Sequence, residues 1–348
     1  MNKKLRINKK SVIIIILSLS VLCSYSYSSE KTELKIKVEI GQKYNVRINT
    51  NHIILQSMGE KKENILNRKI YEIVAEVKQV DSNDTISMEI TFKAIKEQTM
   101  FGKETRGYDS TEIHDPEDNM ANMYSAMIGE KFLLDVTNKG KIVGLDVDKL
   151  YLGMAENMVK SEDEIIKNRM KEKAREEIEK INEKYGSEEN RIDAIKKQIG
   201  QFPVFDREQI QFVVENILVP FSDEPVGIGD SWQSSMKLLS NLPIEIDGTY
   251  SVKDVNKTAT VFAVHSMIDL ENISNPAEGQ NVGQTKISLK GSFEGALLIN
   301  PSSGWLLNKK TILKISGEEI SPAKDNAQEE IKTPLSIESI TTVETVKK

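Results

Sequence analysis

The sequence predicts an α+β protein dominated by antiparallel β-sheet, and three observations lead to this fold class. Apolar and polar residues alternate over long stretches in the first and last thirds of the chain, as in strands that bury one face. Two similar segments, Gly41-Gln-Lys-Tyr44 and Gly229-Asp-Ser-Trp232, each open such a stretch. The residues between them change to helical spacing. We therefore expect two related curved sheets, forming an open barrel or a sandwich, with a helical insert between the copies.

The first β unit is expected over residues 29–145. Residues 34–40 and 44–48 alternate between apolar and polar side chains, which predicts two half-buried strands. A cluster of turn residues at 81–84 separates two further alternating segments, so we expect a hairpin there. The segment Thr137-Asn-Lys-Gly140 predicts the turn of a second hairpin.

The second β unit is expected over residues 221–348 and repeats this order. A turn at Asn256-Lys257 joins two alternating segments, and a later segment runs into Asn300-Pro-Ser-Ser-Gly304 before Trp305. The shared order of a glycine-to-aromatic opening, a hairpin and a turn ending in glycine indicates an internal duplication. Residues 321–332 are polar and are expected to be loose, whereas residues 335–346 are expected to form a last strand.

The helical insert is expected over residues 146–220. Isoleucines recur at helical spacing, Gly186-Ser187 interrupts them, and Asp206 is placed to cap a helix that continues to Val219. Residues 160–199 carry 11 basic and 11 acidic residues, which should form stabilising pairs on the outer faces of the helices. We expect the isoleucine stripe to pack on the sheet; the alternative is an arm that binds another protein.

Residues 1–28 have the features of a secretory signal peptide. Five basic residues precede an apolar run of about 12 residues, too short for the roughly 20 that span a bilayer. Cys23 ends this run, at the position where a bacterial lipoprotein carries its acylated cysteine, although Leu22 replaces the usual small residue. The alternative is that Cys23 leaves with the signal peptide. We therefore expect an exported protein that is periplasmic, associated with the outer membrane or extracellular.

Charge and cysteine content exclude several classes of function. Removing the five basic residues of the leader takes Lys plus Arg from 47 to 42 against 53 acidic residues, a formal charge of −11. This excess disfavours nucleic acid or an anionic membrane surface as a partner. Because Cys23 is the single cysteine, disulfides and thiolate metal sites are excluded. The expected partners are a hydrophobic small molecule or another envelope protein, with membrane contact only through a lipid anchor on Cys23.

Several short segments carry a family resemblance. They are Gly41-Gln-Lys-Tyr44, Gly129-Glu-Lys-Phe132 with Gly140-Lys-Ile, Pro225-Val-Gly-Ile-Gly-Asp-Ser-Trp232, and Gly304-Trp305. In this order they resemble the segments of an exported bacterial family catalogued as domain of unknown function 6263. The resemblance implies an envelope or secreted protein with no assigned activity and no agreed site. We interpret its residues as a structural motif, consisting of Gly41, Tyr44, Gly129, Gly140, Gly229, Asp230, Trp232, Gly304 and Trp305.

The histidines and one acidic loop are the candidate metal ligands. The three histidines, His52, His114 and His265, lack the short spacing of zinc sites, so a zinc centre would need distant residues to converge. The oxygen ligands that calcium prefers occur in one polar loop, at Asp109, Asp115, Glu117 and Asp118. This loop lacks the alternation and the glycine of an EF-hand, which favours a solvated acidic loop. We expect no cofactor.

Nucleophilic catalysis finds little support in the sequence. Gly229-Asp-Ser231 is similar to the nucleophile segment of some hydrolases, which requires a strand-to-helix turn after the serine and a later histidine. Here a β pattern follows Ser231, and no histidine follows His265. We therefore expect a tight turn with Trp232 in the core.

The sequence thus predicts a non-catalytic cell-envelope protein. Five methionines at helical spacing offer a soft wall for a hydrophobic ligand between sheet and helices, or alternatively plain core: Met120, Met123, Met127, Met154 and Met158. One alternative is a structural or protein-interaction scaffold with a solid core. An enzyme is the third choice, because no acid-base or nucleophile constellation stands out.

Overall fold

The computed structural model describes residues 31–58, 61–115, 117–202, 204–237, 245–274, 286–323 and 326–347. Within these residues twelve antiparallel strands form one sheet, in the order β6-β5-β3-β2-β1-β12-β11-β10-β9-β8-β7, with β4 paired to β3 beside this path. The strands are β1 Lys43–Met58, β2 Lys61–Val80, β3 Thr85–Phe101, β4 Glu104–Asp109, β5 Lys131–Thr137, β6 Ile142–Asp146, β7 Ser231–Lys237, β8 Glu245–Val255, β9 Thr260–Ser274, β10 Lys286–Ile299, β11 Leu306–Ala323 and β12 Asn326–Lys347.

The strand order contains two five-stranded units. The first runs β6-β5-β3-β2-β1, the second runs β11-β10-β9-β8-β7, and β12 pairs with β1 on one side and β11 on the other. The predicted α+β class with two related β units and a helical insert is confirmed. The two units continue into one sheet, which is not closed because β6 and β7 lie at its opposite edges.

The sequence Ile-Gly-x-x-aromatic begins three strands, β1, β5 and β7. The copies are Ile40 to Tyr44, Ile128 to Phe132 and Ile228 to Trp232. In each copy the glycine has a φ between +86° and +92°, which a type II turn requires. In the first copy the Gly41 N–H donates to the Val77 carbonyl oxygen at 2.8 Å, and the Val77 N–H donates to the Gln42 carbonyl oxygen at 2.9 Å. The other two copies make the same pair of bonds, so one turn starts β1, β5 and β7.

Two chain segments cross the turns at the ends of the hairpins. The Lys37 N–H donates to the Ser303 carbonyl oxygen at 2.7 Å, beside Gly304. The Phe221 N–H donates to the Lys139 carbonyl oxygen at 2.9 Å, beside Gly140. A Cβ on either glycine would lie 2.1 Å from a carbonyl oxygen of the crossing segment. These two positions therefore require glycine for space as well as for conformation.

Two sequence-based predictions about strands are wrong. The segment from residue 34 to 40 alternates like a strand, yet it does not belong to the sheet, because its backbone groups bond to the hairpin turns that it crosses. Residues 321–323 and 326–332, predicted to be loose, belong to β11 and β12. The ladder between β11 and β12 extends through these residues, from Ile320 opposite Lys332 to Pro322 opposite Glu330.

The helices are α1 Asn119–Met127, α2 Asp148–Met170, α3 Ala174–Tyr185, α4 Glu188–Ile199 and α5 Arg207–Glu215. Asp118, Ser187 and Asp206 cap α1, α4 and α5, and Gly186 ends α3 in the left-handed conformation. Among the described residues, no helix is both long and apolar enough to cross a membrane.

The charged helices α3 and α4 contact α2, and Ile192, Ile195 and Ile199 of α4 pack in or against the hydrophobic core. Arg191, on α4, is 1% exposed, and its guanidinium donates to Asp163 at 2.9 Å and to Glu162 at 2.7 Å. These acids lie on α2. A buried arginine with two carboxylate partners fixes how the helices pair, because breaking such a group leaves a charge buried without a partner.

Replacement of Gly41, Gly129 or Gly229 by alanine should cost a similar free energy of unfolding, about 1–2 kcal/mol each. No atom lies within 4 Å of a Cβ built at any of the three, so only the positive φ is penalised. Gly140→Ala, by contrast, also places a Cβ 2.1 Å from the Val219 carbonyl oxygen and should cost clearly more. Urea unfolding of the four variants measures this, and unequal costs among the first three would contradict the shared turn.

Candidate functional site

One face of the sheet is buried against the helices, and a single lysine interrupts its most apolar row. Direct cross-strand neighbours in this row are Tyr71, Ile48, Val343, Lys309, Leu297 and Phe262, on β2, β1, β12, β11, β10 and β9. Lys309 is half-buried, and the other five side chains are buried. A lysine rarely lies at such a position without a partner, because burying its charge is costly.

Next to this row lies a band of polar side chains that we call the polar floor. It spans five adjacent strands and consists of Glu97 and Thr99 on β3, Lys69 and Asn67 on β2, Thr50 and His52 on β1, Thr341 and Ser339 on β12, and Thr311 on β11. All nine residues are buried or half-buried. Because successive residues of a strand point to opposite faces, these positions all share the buried face.

The β3 and β2 part of the polar floor is held by direct contacts. The Lys69 ammonium lies 3.3 Å from a Glu97 carboxylate oxygen, and the Asn67 amide donates to Glu97 at 3.1 Å and to Thr99 at 2.7 Å. The Tyr124 hydroxyl, from α1, also donates to Glu97. Burial opposes the charge of Lys69, but the electrostatic contributions of Tyr71 and Glu97 outweigh it and raise the lysine pKa.

His52 lies in the middle of the polar floor, directly opposite Ser339 of β12. Burial lowers the pKa of His52 to about 4, and the positive charge of Lys69 contributes in the same direction. The imidazole is therefore neutral near pH 7, although a usual histidine begins to charge just below this pH.

A cavity of about 310 Å³ lies between the sheet and the segment that contains α5 and the residues after it. Its apolar lining comes from Leu218, Met236, Tyr250, Val264, Phe293, Leu297 and Leu313. Its polar lining includes Lys309 and three hydroxyl groups of the polar floor, on Thr311, Ser339 and Thr341. The lining also includes Lys141, Ser234, Ser235 and Glu245. The cavity therefore has an apolar wall, and we call the part formed by Lys309 and the three hydroxyl groups its polar end.

Lys309 is the basic group at this polar end. Its Nζ lies 3.4 Å from the Asn216 side-chain oxygen. Burial lowers the pKa of Lys309 to about 8, and the nearby negative charge of Glu215 partly opposes this shift. The Glu215 carboxylate accepts a hydrogen bond from the Gln211 amide at 2.7 Å. Lys309 is thus largely protonated near pH 7.

The acidic calcium candidates have separate partners. Asp109 lies 2.6 Å from the Lys96 ammonium, which lowers the pKa of this carboxyl to about 2. Asp118 caps α1, Glu117 pairs with Arg169, and Asp115 accepts the Glu117 backbone N–H at 2.9 Å. Across the described parts of the chain, no group of three or more histidine, cysteine or acidic residues could hold a metal ion.

The histidines also lie apart. The His114 and Tyr108 rings pack in a T-shaped arrangement, and His265 is exposed on the outer face of β9, whereas His52 belongs to the polar floor. Cys23 lies outside the described residues, so lipidation stays a prediction.

The structural-motif residues occupy core and turn positions. Trp305 stacks on Tyr44 with ring centroids 4.0 Å apart, which joins the two β units. Trp232 stacks on Tyr250, and its indole N–H donates to the Pro220 carbonyl oxygen at 2.8 Å. Asp230 accepts the Gly227 N–H at 3.0 Å and pairs with Lys31, which lowers the pKa of Asp230.

The methionines of the helices do not line this cavity. Met123, Met127 and Met154 are buried in the core, Met158 packs against it, and Met120 is partly exposed. The helix face that meets the cavity comes from α5, with Gln211, Phe212 and Glu215.

Sequence reasoning missed Lys309 and the polar floor. A signal existed: the apolar positions Tyr71, Ile73, Ala75 and Val77 continue at the same spacing into Lys69 and Asn67. Such a change marks where the buried face of a strand becomes polar. The convergence of these residues from five strands depends on the sheet register, which the sequence does not give.

The model of Family of unknown function (DUF6263) matches residues 83–180 and 174–306. The chain belongs to this family. The predicted resemblance to this family is therefore confirmed, and the DUF6263 match covers the helical insert and part of each β unit, from β3 to the first residue of β11. No curated protein matches the chain.

Solved structures give only distant likenesses. A structure titled "Lipid-protein interactions in lipovitellin" is 7% identical, with a TM-score of 0.42 over 89% of this chain and 25% of that chain. Pseudomonas aeruginosa OccK5 (OpdH) is 8% identical, with a TM-score of 0.18 over 88% and 98% of the two chains. The outer membrane protein opdK of the same organism is 5% identical, with a TM-score of 0.15 over 88% and 99%. This chain spans about a quarter of the lipovitellin chain, and scores this low carry no inference about function.

His52 should make the protein less stable as the pH falls from about 6.5 to about 4. Its folded pKa, about 4, lies below the usual 6.5, so the unfolded chain takes up the proton first and unfolding is favoured across this interval. The loss should reach at most about 3 kcal/mol relative to His52→Gln, which lacks this group. Urea unfolding at several pH values measures it, with His265→Gln as a control that removes an exposed imidazole. Parallel pH profiles for the wild type and His52→Gln would contradict the burial of His52.

Proposed function

We propose that the protein is a non-catalytic binding protein of the cell envelope that holds an amphiphilic small molecule between its sheet and α5. The observation that carries this proposal is the cavity of about 310 Å³ with an apolar wall and a polar end. Small-molecule sites are concave, mostly apolar and supplied with a few convergent polar groups, at roughly 300–1,000 Å³. The cavity is concave, lies at the lower end of this range of volumes, and combines apolar with polar side chains in its lining.

The apolar wall is built to hold a hydrophobic group. Phe293, Leu297 and Leu313 are at most 8% exposed and lie on adjacent strands of the buried face. Leu218 covers them from the segment after α5. An apolar group of a ligand that entered this space would leave water and gain contact with side chains already fixed by the sheet.

The groups at the polar end support binding over catalysis. Ser339 has His52 as its cross-strand neighbour, an arrangement that in principle offers a nucleophile and a base. A useful base, however, has a pKa near the operating pH, and that of His52 is about 4. The hydroxyls and the lysine are therefore better suited to orient the polar part of a ligand.

We also propose that the protein is located outside the cytoplasm. The leader-like residues 1–28 support an exported protein. An envelope protein of this kind would carry or sequester a molecule that is poorly soluble in water.

Filling the cavity should abolish binding of an uncharged hydrophobic probe. Val264, which lines the cavity, is 3% exposed, and Val264→Phe would place a phenyl ring in the space. We expect the affinity for N-phenylnaphthylamine, followed by its fluorescence, to fall roughly tenfold or more, equivalent to about 1.4 kcal/mol.

The matched control is Val261→Phe, because Val261 lies on the same strand but on the opposite, outer face of the sheet. It should retain wild-type probe affinity. Wild-type protein that does not bind the probe, or equal affinities for both variants and the wild type, would remove the cavity as the binding site and leave a scaffold with a solid core as the better description.

A second experiment identifies the natural occupant. Protein purified from its own host should show an added mass under native mass spectrometry, and solvent extraction should release an amphiphilic compound. In the same measurement, a smaller fraction of the Val264→Phe protein should carry this added mass, because the phenyl ring reduces the free volume of the cavity.

A further inference from the structure

We infer that the ligand is a single-chain amphiphile with a carboxylate head group, and that Lys309 binds the carboxylate at the polar end of the cavity. This inference rests on the proposed function and names the class of ligand. It is carried by the position of Lys309 within the cavity lining, among apolar neighbours and beside three hydroxyl groups.

Within the described residues, the Lys309 ammonium has too few partners for its position. It carries three N–H donors, and its hydrogen bond is to the Asn216 side-chain oxygen at 3.4 Å, near the limit of such a contact. Asn216 is itself oriented by donating to the Phe212 carbonyl oxygen at 2.9 Å. At least one N–H of Lys309 can therefore donate to a group within the cavity.

Lys69, on the same face of the sheet, is a lysine whose ammonium has a carboxylate partner within the protein. Its ammonium lies 3.3 Å from the Glu97 carboxylate, which in turn accepts from Asn67. Among the described residues Lys309 forms no salt bridge within 4 Å, although the negative charge of Glu215 acts to raise its pKa. A ligand carboxylate would give Lys309 the charge-assisted hydrogen bond that Lys69 has from the protein.

The charge at the site favours a monovalent anion. Lys141 and Lys309 line the cavity together with Glu215 and Glu245, so its charged side chains carry no net positive charge. A phosphate carries about −1.5 to −2 charges and is usually bound by several arginines or lysines. A carboxylate carries one charge and accepts from a lysine together with neighbouring hydroxyls such as those of Thr311 and Thr341.

The volume favours a single chain. A cavity of about 310 Å³ is near the lower limit for drug-sized ligands. In the apolar wall, Leu297 lies opposite Lys309, and Phe293 and Leu313 form a pair four residues further along the same two strands. A linear hydrocarbon chain attached to a head group at Lys309 would lie along this wall.

The test compares ligands that differ only in the head group. Oleic acid, oleyl alcohol and oleyl phosphate would each compete with N-phenylnaphthylamine on the full-length mature protein at pH 7. We expect the acid to displace the probe at a concentration at least roughly tenfold lower than the alcohol, and lower than the phosphate. Equal displacement by acid and alcohol, or stronger displacement by the phosphate, would overturn the carboxylate assignment.

Lys309→Met tests the residue, because methionine keeps the length of the side chain and suits an apolar row. The variant should bind the probe as the wild type does but should lose the preference for acid over alcohol. Lys310→Met is the matched control, since Lys310 is the next residue of β11 and is exposed on the outer face. Retention of the preference in Lys309→Met would refute the role of Lys309, and if this variant does not fold, the wild-type comparison of acid and alcohol decides the ligand class alone.

The outcomes separate this inference from the proposed function. Probe binding without a preference for the acid rejects the carboxylate and leaves a hydrophobic binding protein. Absence of probe binding by the wild type rejects both.

Discussion

The pairing of β12 with β1 and β11 is the constraint on which the rest of the structure depends. This strand joins two five-stranded units into one sheet, so that cross-strand rows run without interruption from β3 to β9. The polar floor takes residues from both units, and Lys309 has Val343 of β12 as its neighbour. Neither unit alone would contain the site. The stacked rings of Tyr44 and Trp305 reinforce the same junction.

The sequence allowed prediction of those features that are set by short segments. Period-two alternation located most strands, and Gly186-Ser187 and Asp206 marked helix ends that the structure shows at these residues. The glycine-to-aromatic segments indicated a repeated turn, because the backbone conformation at such a turn admits few residues other than glycine. The segment from residue 34 to 40 was wrongly predicted to be a strand. It is an extended segment that crosses hairpin turns, and its apolar and polar residues alternate as they do in a strand.

The site depended on long-range register, which no local pattern specifies. Lys309 and Asn216 are far apart in sequence, and their contact requires the segment after α5 to lie over β11. A lysine at position 309 on a β-strand is as compatible with the exposed face as with the buried one. Because residues 309 and 310 are both lysines, the sequence does not tell which of them points to the buried face. The sheet register shows that Lys309 does.

The two lysines of the buried face differ in a way that bears on function. Both lose hydration, yet the pKa of Lys69 is raised and that of Lys309 is lowered to about 8. Electrostatic contributions of Tyr71 and of the Glu97 carboxylate, which contacts Lys69, outweigh burial there, whereas Lys309 has a neutral amide at 3.4 Å. Burying a charge without a close counterion costs stability, and a folded protein that retains such a group has that interaction available to a ligand. Lys69 therefore belongs to the part of the polar floor that has its partners within the protein. Lys309, beside the polar floor, faces the cavity without a carboxylate of the described residues in contact.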